Sequence, residues 1–417
     1  MPEQQLNNLI GHLFRHEAGK MASVLTRLLG FNSLELAEDI VQDTLLQAMS
    51  TWKIKGVPEN PAAWLYTVAK RKAIDAIRQQ KIHERHHSEM GLALKSEWTL
   101  SPTVNNLFLS NEIEDSQLRM IFACCHPSIP YESQLALTLK TLCGLSVTEI
   151  ANSFLTNTET ITKRLYRARE KIREENITLE APIPANLPGR LDAVLHSLYL
   201  LFNEGYNSSH PDHLIRHDLC EESMRLCLLL VNNPMTAIPK AKALLALMCF
   251  QASRAEARIH ADGSIILLKD QDRSSWSQQL IEKGKFYLEH SAEGDAFSEY
   301  HIEAAIAACH ARAKSFDETD WEQIHRFYSI LAVIKPSSIV ELNKAIALGY
   351  AKSPIEGLTA LKKIEDLQNH YLYHAAIGDF YADIGNGEQA RMSYETAITL
   401  TPSIAEKKLL KSKLEKS

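Results

Sequence analysis

Apolar residues recur along almost the whole chain at the three-and-four spacing of an amphipathic helix, and this pattern predicts an all-α protein. One stretch departs from it. Between Ala257 and Asp270 (ARIHADGSIILLKD) two short apolar runs flank Asp262-Gly263, the arrangement of a small β-hairpin. Two further interruptions divide the helical pattern. Residues 82–116 mix His, Ser, Glu, Asn, Gly91 and Pro102 without a sustained period and read as a linker with one or two short helices. In 176–189, Pro182, Pro184 and Pro188 favour extended chain. The expected organisation is therefore a helical domain over 1–81, a linker over 82–116, a second helical domain over 117–175, a Pro-rich linker over 176–189 and a C-terminal helical domain over 190–417.

The last block contains an internal repeat. Gly378, Tyr381, Ala390, Tyr394, Ala397 and Pro402 match a tetratricopeptide repeat, in which small residues let two helices approach and aromatics fill between them. Pro336 precedes Pro402 by about two repeat lengths, with Ala345, Gly357 and Leu361 at the small and large positions between. Such a stack has room for a regulatory protein or peptide, although no residue here selects one.

Two helix starts frame the first domain. Asn32 and Glu35 form a capping box for a helix through Trp52, with Ile40, Val41, Leu45, Ala48 and Trp52 as its apolar stripe and Asp39, Gln42 and Asp43 together on the outside. That acidic group either attracts a basic partner or simply suits the helix dipole. Asn60-Pro61 starts a helix running to about Lys81. Leu65, Ala69, Ala73, Ala76 and Gln80 share one side; Trp64, Thr67, Arg71, Ile74 and Arg78 share another, edged by Tyr66 and Lys70. Cations neutralise phosphates and exposed rings stack on unpaired bases, so this face suits opened DNA; buried rings beside a solvated charged face is the competing reading.

The second domain is more specific. Leu135, Leu139 and Leu142 mark a helix ended by Gly144, Ser146 and Glu149 make a capping box, and Ile150, Ala151 and Phe154 follow. Leu155-Thr156-Asn157 turns the chain, Thr158 caps the next helix, and Ile161, Leu165, Ala168 and Ile172 line it. This is a helix-turn-helix pattern. Its second helix places Thr160, Thr162, Lys163, Arg164, Arg167 and Arg169 for base edges and phosphates in a major groove.

Composition changes little. The chain has 417 residues, 45% hydrophobic and 23% charged, with a formal net charge of −6, so the two basic islands sit in a mildly acidic folded protein. Seven cysteines without regular spacing fit reduced thiols. The start lacks a signal-peptide pattern and no stretch reaches the ~20 apolar residues of a membrane span, so a cytoplasmic protein with no membrane partner is expected. Adjacent Cys124 and Cys125 point apart on a helix and His126 lacks further ligands; His83, His86 and His87 read as a polar linker. Asp270-Gln-Asp-Arg-Ser begins like a calcium loop but has Ser275 and Ile281 where glycine and glutamate are required, and Asp272 or Ser274 reads instead as the cap of a helix containing Trp276. Neither metal, cofactor nor catalytic residue is expected, and with no phosphate loop or nucleophile elbow, no enzyme.

AEDIVQDTLLQAMSTW (Ala37 to Trp52) followed by NPAAWLYTVAKRKAIDAIRQ (Asn60 to Gln79) resembles the core-binding and minus-ten region of extracytoplasmic-function sigma factors. LALTLKTLCGLSVTEIANSFLTNTETITKRLYRAREKIRE (Leu135 to Glu174) resembles their minus-thirty-five region. The resemblance implies two partners, core RNA polymerase and promoter DNA. It sets Asp39, Gln42 and Asp43 against a basic coiled coil of the large polymerase subunit; Trp64, Tyr66, Lys70, Arg71, Ile74 and Arg78 at the minus-ten element; and Thr160 to Arg169 at the minus-thirty-five element. Phe122 to Pro127, Leu201 to Tyr206, Asp270 to Trp276 and Ala304 to His310 resemble a subgroup with a tetratricopeptide-like extension, taken to replace or supplement a separate anti-sigma factor. A helix-turn-helix regulator with a tetratricopeptide interaction module, binding DNA without polymerase, is the alternative.

Overall fold

The computed structural model describes residues 3–85, 104–154, 156–180, 187–208, 214–260, 263–293, 297–401 and 403–416, with side chains from 13 to 79 in the first segment. By compactness the chain forms two units, Met1–Gly205 with Arg216–Met235, and Tyr206–Ile215 with Thr236–Ser417.

The first unit holds α1 (Glu3–Leu29), α2 (Leu34–Lys55), α3 (Pro61–Arg85), α4 (Ser110–Cys124), α5 (Tyr131–Thr141), α6 (Val147–Ser153), α7 (Thr158–Glu174), α8 (Leu187–Tyr206) and α9 (His217–Asn232). The stripes of α1, α2 and α3 meet in one core around Met21, Leu25, Ile40, Trp52, Leu65 and Ala73. Val104, Phe108 and Ile113 close over it, so the described end of the 82–116 segment is helical and packed. Gly19 permits a second close approach: a Cβ there would stand 2.2 Å from the carbonyl oxygen of Leu142.

Several helix ends differ from those the sequence predicts. Helix α2 is preceded by the 3-10 turn Phe31–Ser33 and has no side-chain cap, because Asn32 donates to Asn176 at 2.7 Å and Glu35 is drawn to Arg173 at 2.5 Å. Helix α3 continues past Lys81 to Arg85. Asn157, not Thr158, caps α7, accepting from the Thr160 N–H at 2.8 Å. Pro188 and Gly189 lie in the first turn of α8, where proline leaves no needed donor missing. Pro182, Pro184 and Leu155 lie outside the described residues.

The second unit holds α10 (Pro239–Ser253), α11 (Gln278–His290), α12 (Glu299–Arg312), α13 (Trp321–Ile334), α14 (Ser338–Ala351), α15 (Pro354–Leu361), α16 (Tyr371–Asp383), α17 (Gly387–Leu400) and α18 (Ile404–Lys416). Helix α12 packs chiefly on α10, and from α13 onward each helix packs chiefly on its chain neighbours. The motif residues do this work: Ala390, Tyr394 and Ala397 are buried, and Gly378 leaves space for the Tyr394 ring, which a Cβ would meet at 2.6 Å. Pro402 lies outside the described residues.

The 257–270 stretch corrects the hairpin expectation. It forms a single antiparallel bridge, Ile259 to Ile265, and among the described residues no strand grows from it. Gly263 at φ +79° turns the chain, whereas Asp262 lies outside the described residues. Asp272 caps the 3-10 turn Arg273–Ser275, and Ser277 caps α11, so Trp276 falls between helices.

Candidate nucleic-acid interface

Ser146 accepts from the Glu149 N–H at 3.2 Å while Glu149 accepts from the Ser146 N–H at 2.7 Å, the reciprocal box that starts α6. Glu149 also accepts from Arg216 and lies 3.7 Å from Arg15, whose Nε is 2.8 Å from Asp218. Burial pushes the Glu149 carboxyl up, but the Ser146 and Arg216 hydrogen bonds outweigh it and hold the group down at about 2.

Helix α7 buries Ile161, Leu165, Ala168 and Ile172 and turns Thr162, Lys163 and Arg167 outward, with Thr160 half-buried. Its cations divide into two sets. Lys163 reaches Glu159 at 2.7 Å on the open face. Arg164 lies over the Phe154 ring at 5.1 Å and 3.2 Å from Glu132, and Arg169 points to α2, 2.9 Å from Glu38 and 3.7 Å from Glu35. Tyr166, 59% exposed beside Arg167 and one turn from Lys163, was not singled out by the basic pattern. Its place opposite the buried stripe was the available signal.

On α3 the rings and the cations part company. Trp64 meets Trp52 edge-on at 5.4 Å, Ile74 packs on the same core, and Tyr66 lies 5.4 Å from Phe108 while its hydroxyl donates to Glu17. Burial and then Glu17 push the Tyr66 phenol up. Lys70 lies over Phe108 at 5.2 Å and is lowered by burial. Arg71 and Arg78 face outward, Arg78 within 3.8 Å of Asp75.

Asp39, Gln42 and Asp43 are exposed on α2, and the same face continues through Leu46 and Met49, which are 63% and 50% exposed. The apolar period of α2 marks its inner side, and these two outward apolar residues fall outside that period. Lys72 reaches Asp43 at 3.4 Å.

Cys124 and Cys125 are buried, with their sulfurs 3.6 Å from the hydroxyls of Thr141 and Thr138; burial pushes the Cys125 thiol up to about 12. Among the described residues no group of three or more His, Cys, Asp or Glu is placed to hold a metal ion. The side chains of His83, His86 and His87 lie outside the described residues. Among the described residues no helix is long and apolar enough to cross a membrane.

Residues 13–82 match the Sigma-70 region 2 family, and residues 190–292 match a family of unknown function, DUF6596. An uncharacterized protein of Rhizobium meliloti (strain 1021) is 34% identical over 92% of this chain and 90% of its own. The RNA polymerase sigma factor SigV of Bacillus subtilis (strain 168) is 29% identical over 33% of this chain and 74% of its own. The extracytoplasmic-function sigma-E factor of Haemophilus influenzae is 27% identical over 37% of this chain and 81% of its own. No solved structure matches. Region 2 at the front, sigma factors aligned along the first part and a large helical extension behind place the chain in the extracytoplasmic-function branch of the sigma-70 family, among members with a C-terminal extension.

Proposed function

We propose that this sigma factor binds core RNA polymerase through the outer face of α2, engages the minus-ten element with α3 and reads the minus-thirty-five element with the helix-turn-helix formed by α6 and α7. The observation that carries this reading is the outer face of α2, where exposed acids run into exposed Leu46 and Met49, a combination suited to a basic partner with an apolar centre. Thr162, Lys163 and Arg167 are the groups for duplex DNA, and Arg71 and Arg78 the phosphate-facing groups of α3. Trp64, Tyr66 and Ile74 support that helix from the core side, and Lys70 joins them at Phe108. The tetratricopeptide-like helices of the extension regulate or support this activity, with a groove of about 700 Å³ lined by His325, Glu341, Lys344, Leu348 and Asp366 as the place for a regulatory protein or peptide.

Purified protein added to sigma-free core polymerase should initiate from DNA upstream of its own gene. The combined Lys163→Ala, Arg164→Ala and Arg167→Ala variant should lose promoter-specific transcription while still binding core. Full activity in that variant would remove α7 from promoter reading, and DNA binding without any initiation would favour a polymerase-independent regulator. Truncation near Asn176, assayed beside the full chain, distinguishes an inhibitory extension, which raises activity on removal, from a required one.

A further inference from the structure

Three motifs of the extension are left unused by promoter recognition, those ending at Tyr206, Trp276 and His310. Their last residues, Tyr206, Trp276 and His310, all belong to the second unit. Arg254 and Arg273 lie over the same Trp276 ring, 5.4 and 5.0 Å from its centroid, and Arg273 donates to the carbonyl of His310. Arg258 stacks on Tyr206 at 3.9 Å and donates to its carbonyl.

The cluster is cationic; Arg273 also donates to the Ala313 carbonyl at 3.4 Å and the Thr319 hydroxyl at 3.1 Å, but these acceptors carry no charge. Among the described residues neither Arg254 nor Arg273 has a carboxylate partner. The Nε of both arginines, the indole Nε1 of Trp276 and Nδ1 of His310 are buried with no hydrogen-bond partner among the described residues. Trp276 is 3% and Arg273 8% exposed. Burial, followed by the charges of Arg254 and Arg273, pulls the His310 imidazole down to about 3. A buried donor without an acceptor bears its full desolvation cost, and an unpaired buried cation bears more. An oxyanion would answer such demands, since it supplies the missing charge and offers acceptors to planar guanidinium groups.

We propose that Arg254, Arg273, Trp276 and His310 form a binding site for a small metabolite carrying a phosphate or carboxylate group. The depth of Arg273 and Trp276 favours a small ligand over a macromolecular surface. This site is independent of the promoter-binding reading, because its test involves neither polymerase nor DNA.

The full chain is titrated by calorimetry with sodium phosphate and, separately, with sodium acetate, ionic strength being held constant with chloride. One of the two should bind saturably and raise Tm; a phosphate response identifies a phosphate-bearing ligand and an acetate response a carboxylate-bearing one. Arg254→Gln should weaken binding by about tenfold or more, the loss expected for a charge-assisted hydrogen bond, whereas Lys411→Gln at an exposed position should not change it. The site is refuted if neither anion binds the wild type, or if Arg254→Gln binds as tightly. Should Arg254→Gln fail to fold, Arg254→Lys keeps the charge and loses the planar fork; it should bind more weakly, and unchanged affinity would overturn the assignment.

Discussion

Arg169 on α7 donates to the Glu38 carboxylate on α2 at 2.9 Å, joining residues 131 positions apart with side chains 23% and 16% exposed. Burial pushes the Glu38 carboxyl up, and Arg169, with the charge of Lys140, draws it part of the way back. Removing Arg169 takes the nearest counter-charge from the partly buried Glu38, whereas removing Glu38 leaves Arg169 with the more distant Glu35 at 3.7 Å. Arg169→Ala and Glu38→Ala should each lower stability by about 1 to 3 kcal/mol, and the double variant should cost less than the two together, with a coupling of about 0.5 kcal/mol or more. Urea unfolding of the four proteins measures it, and strict additivity would show the pair to be uncoupled.

Glu149 predicts a pH dependence. Its folded carboxyl sits at about 2, below the ordinary 4.5, so its contribution is complete above about 4.5 and is lost as pH falls toward about 2. The depression corresponds to about 3 kcal/mol, an order of magnitude for a group 18% exposed. Glu149→Gln should be less stable at pH 7 and should flatten the fall in stability between about pH 4.5 and 2. Parallel acid slopes for wild type and variant would discount the Arg216 and Ser146 bonds as the cause.

Glu149 also marks the boundary of what local pattern reveals. The Ser146 box is legible because both partners lie within four residues, and the buried face of α7 because its period is local. Arg216 is 67 positions from Glu149, and no spacing rule reaches it. Asn32 and Glu35 show the converse: they have cap-forming types at cap spacing, yet Asn176 and Arg173 compete successfully for them. Trp64 and Tyr66 have the right chemistry for stacking on bases, but their environment is set by Trp52, Glu17 and Phe108. Helical class was readable from period alone, whereas the direction of each aromatic depended on tertiary partners.

The helix pair α16 and α17 offers a packing test. Gly378→Ala would place its Cβ 2.6 Å from the Tyr394 ring, which is buried and held by its hydroxyl donating to Asp379 at 2.7 Å. Overpacking of this kind costs about 1 to 3 kcal/mol. The variant should lose that stability, and adding Tyr394→Leu should recover part of the loss by removing the struck ring. A Gly378→Ala protein with wild-type Tm would show that the helices separate without cost.

Leu46 and Met49 give the most direct test of the α2 face. Exposed at 63% and 50%, they contribute little to the core, so Leu46→Asp with Met49→Asp should shift stability by no more than about 1 kcal/mol. At an interface the same change would bury two carboxylates against an apolar contact and repel the acids already present at Asp39 and Asp43. Affinity for core polymerase should therefore fall by about tenfold or more, measured by equilibrium binding of labelled protein, while Tm stays nearly constant. If core affinity is retained in the folded variant, this face is not the polymerase contact and the exposed apolar pair belongs to another partner.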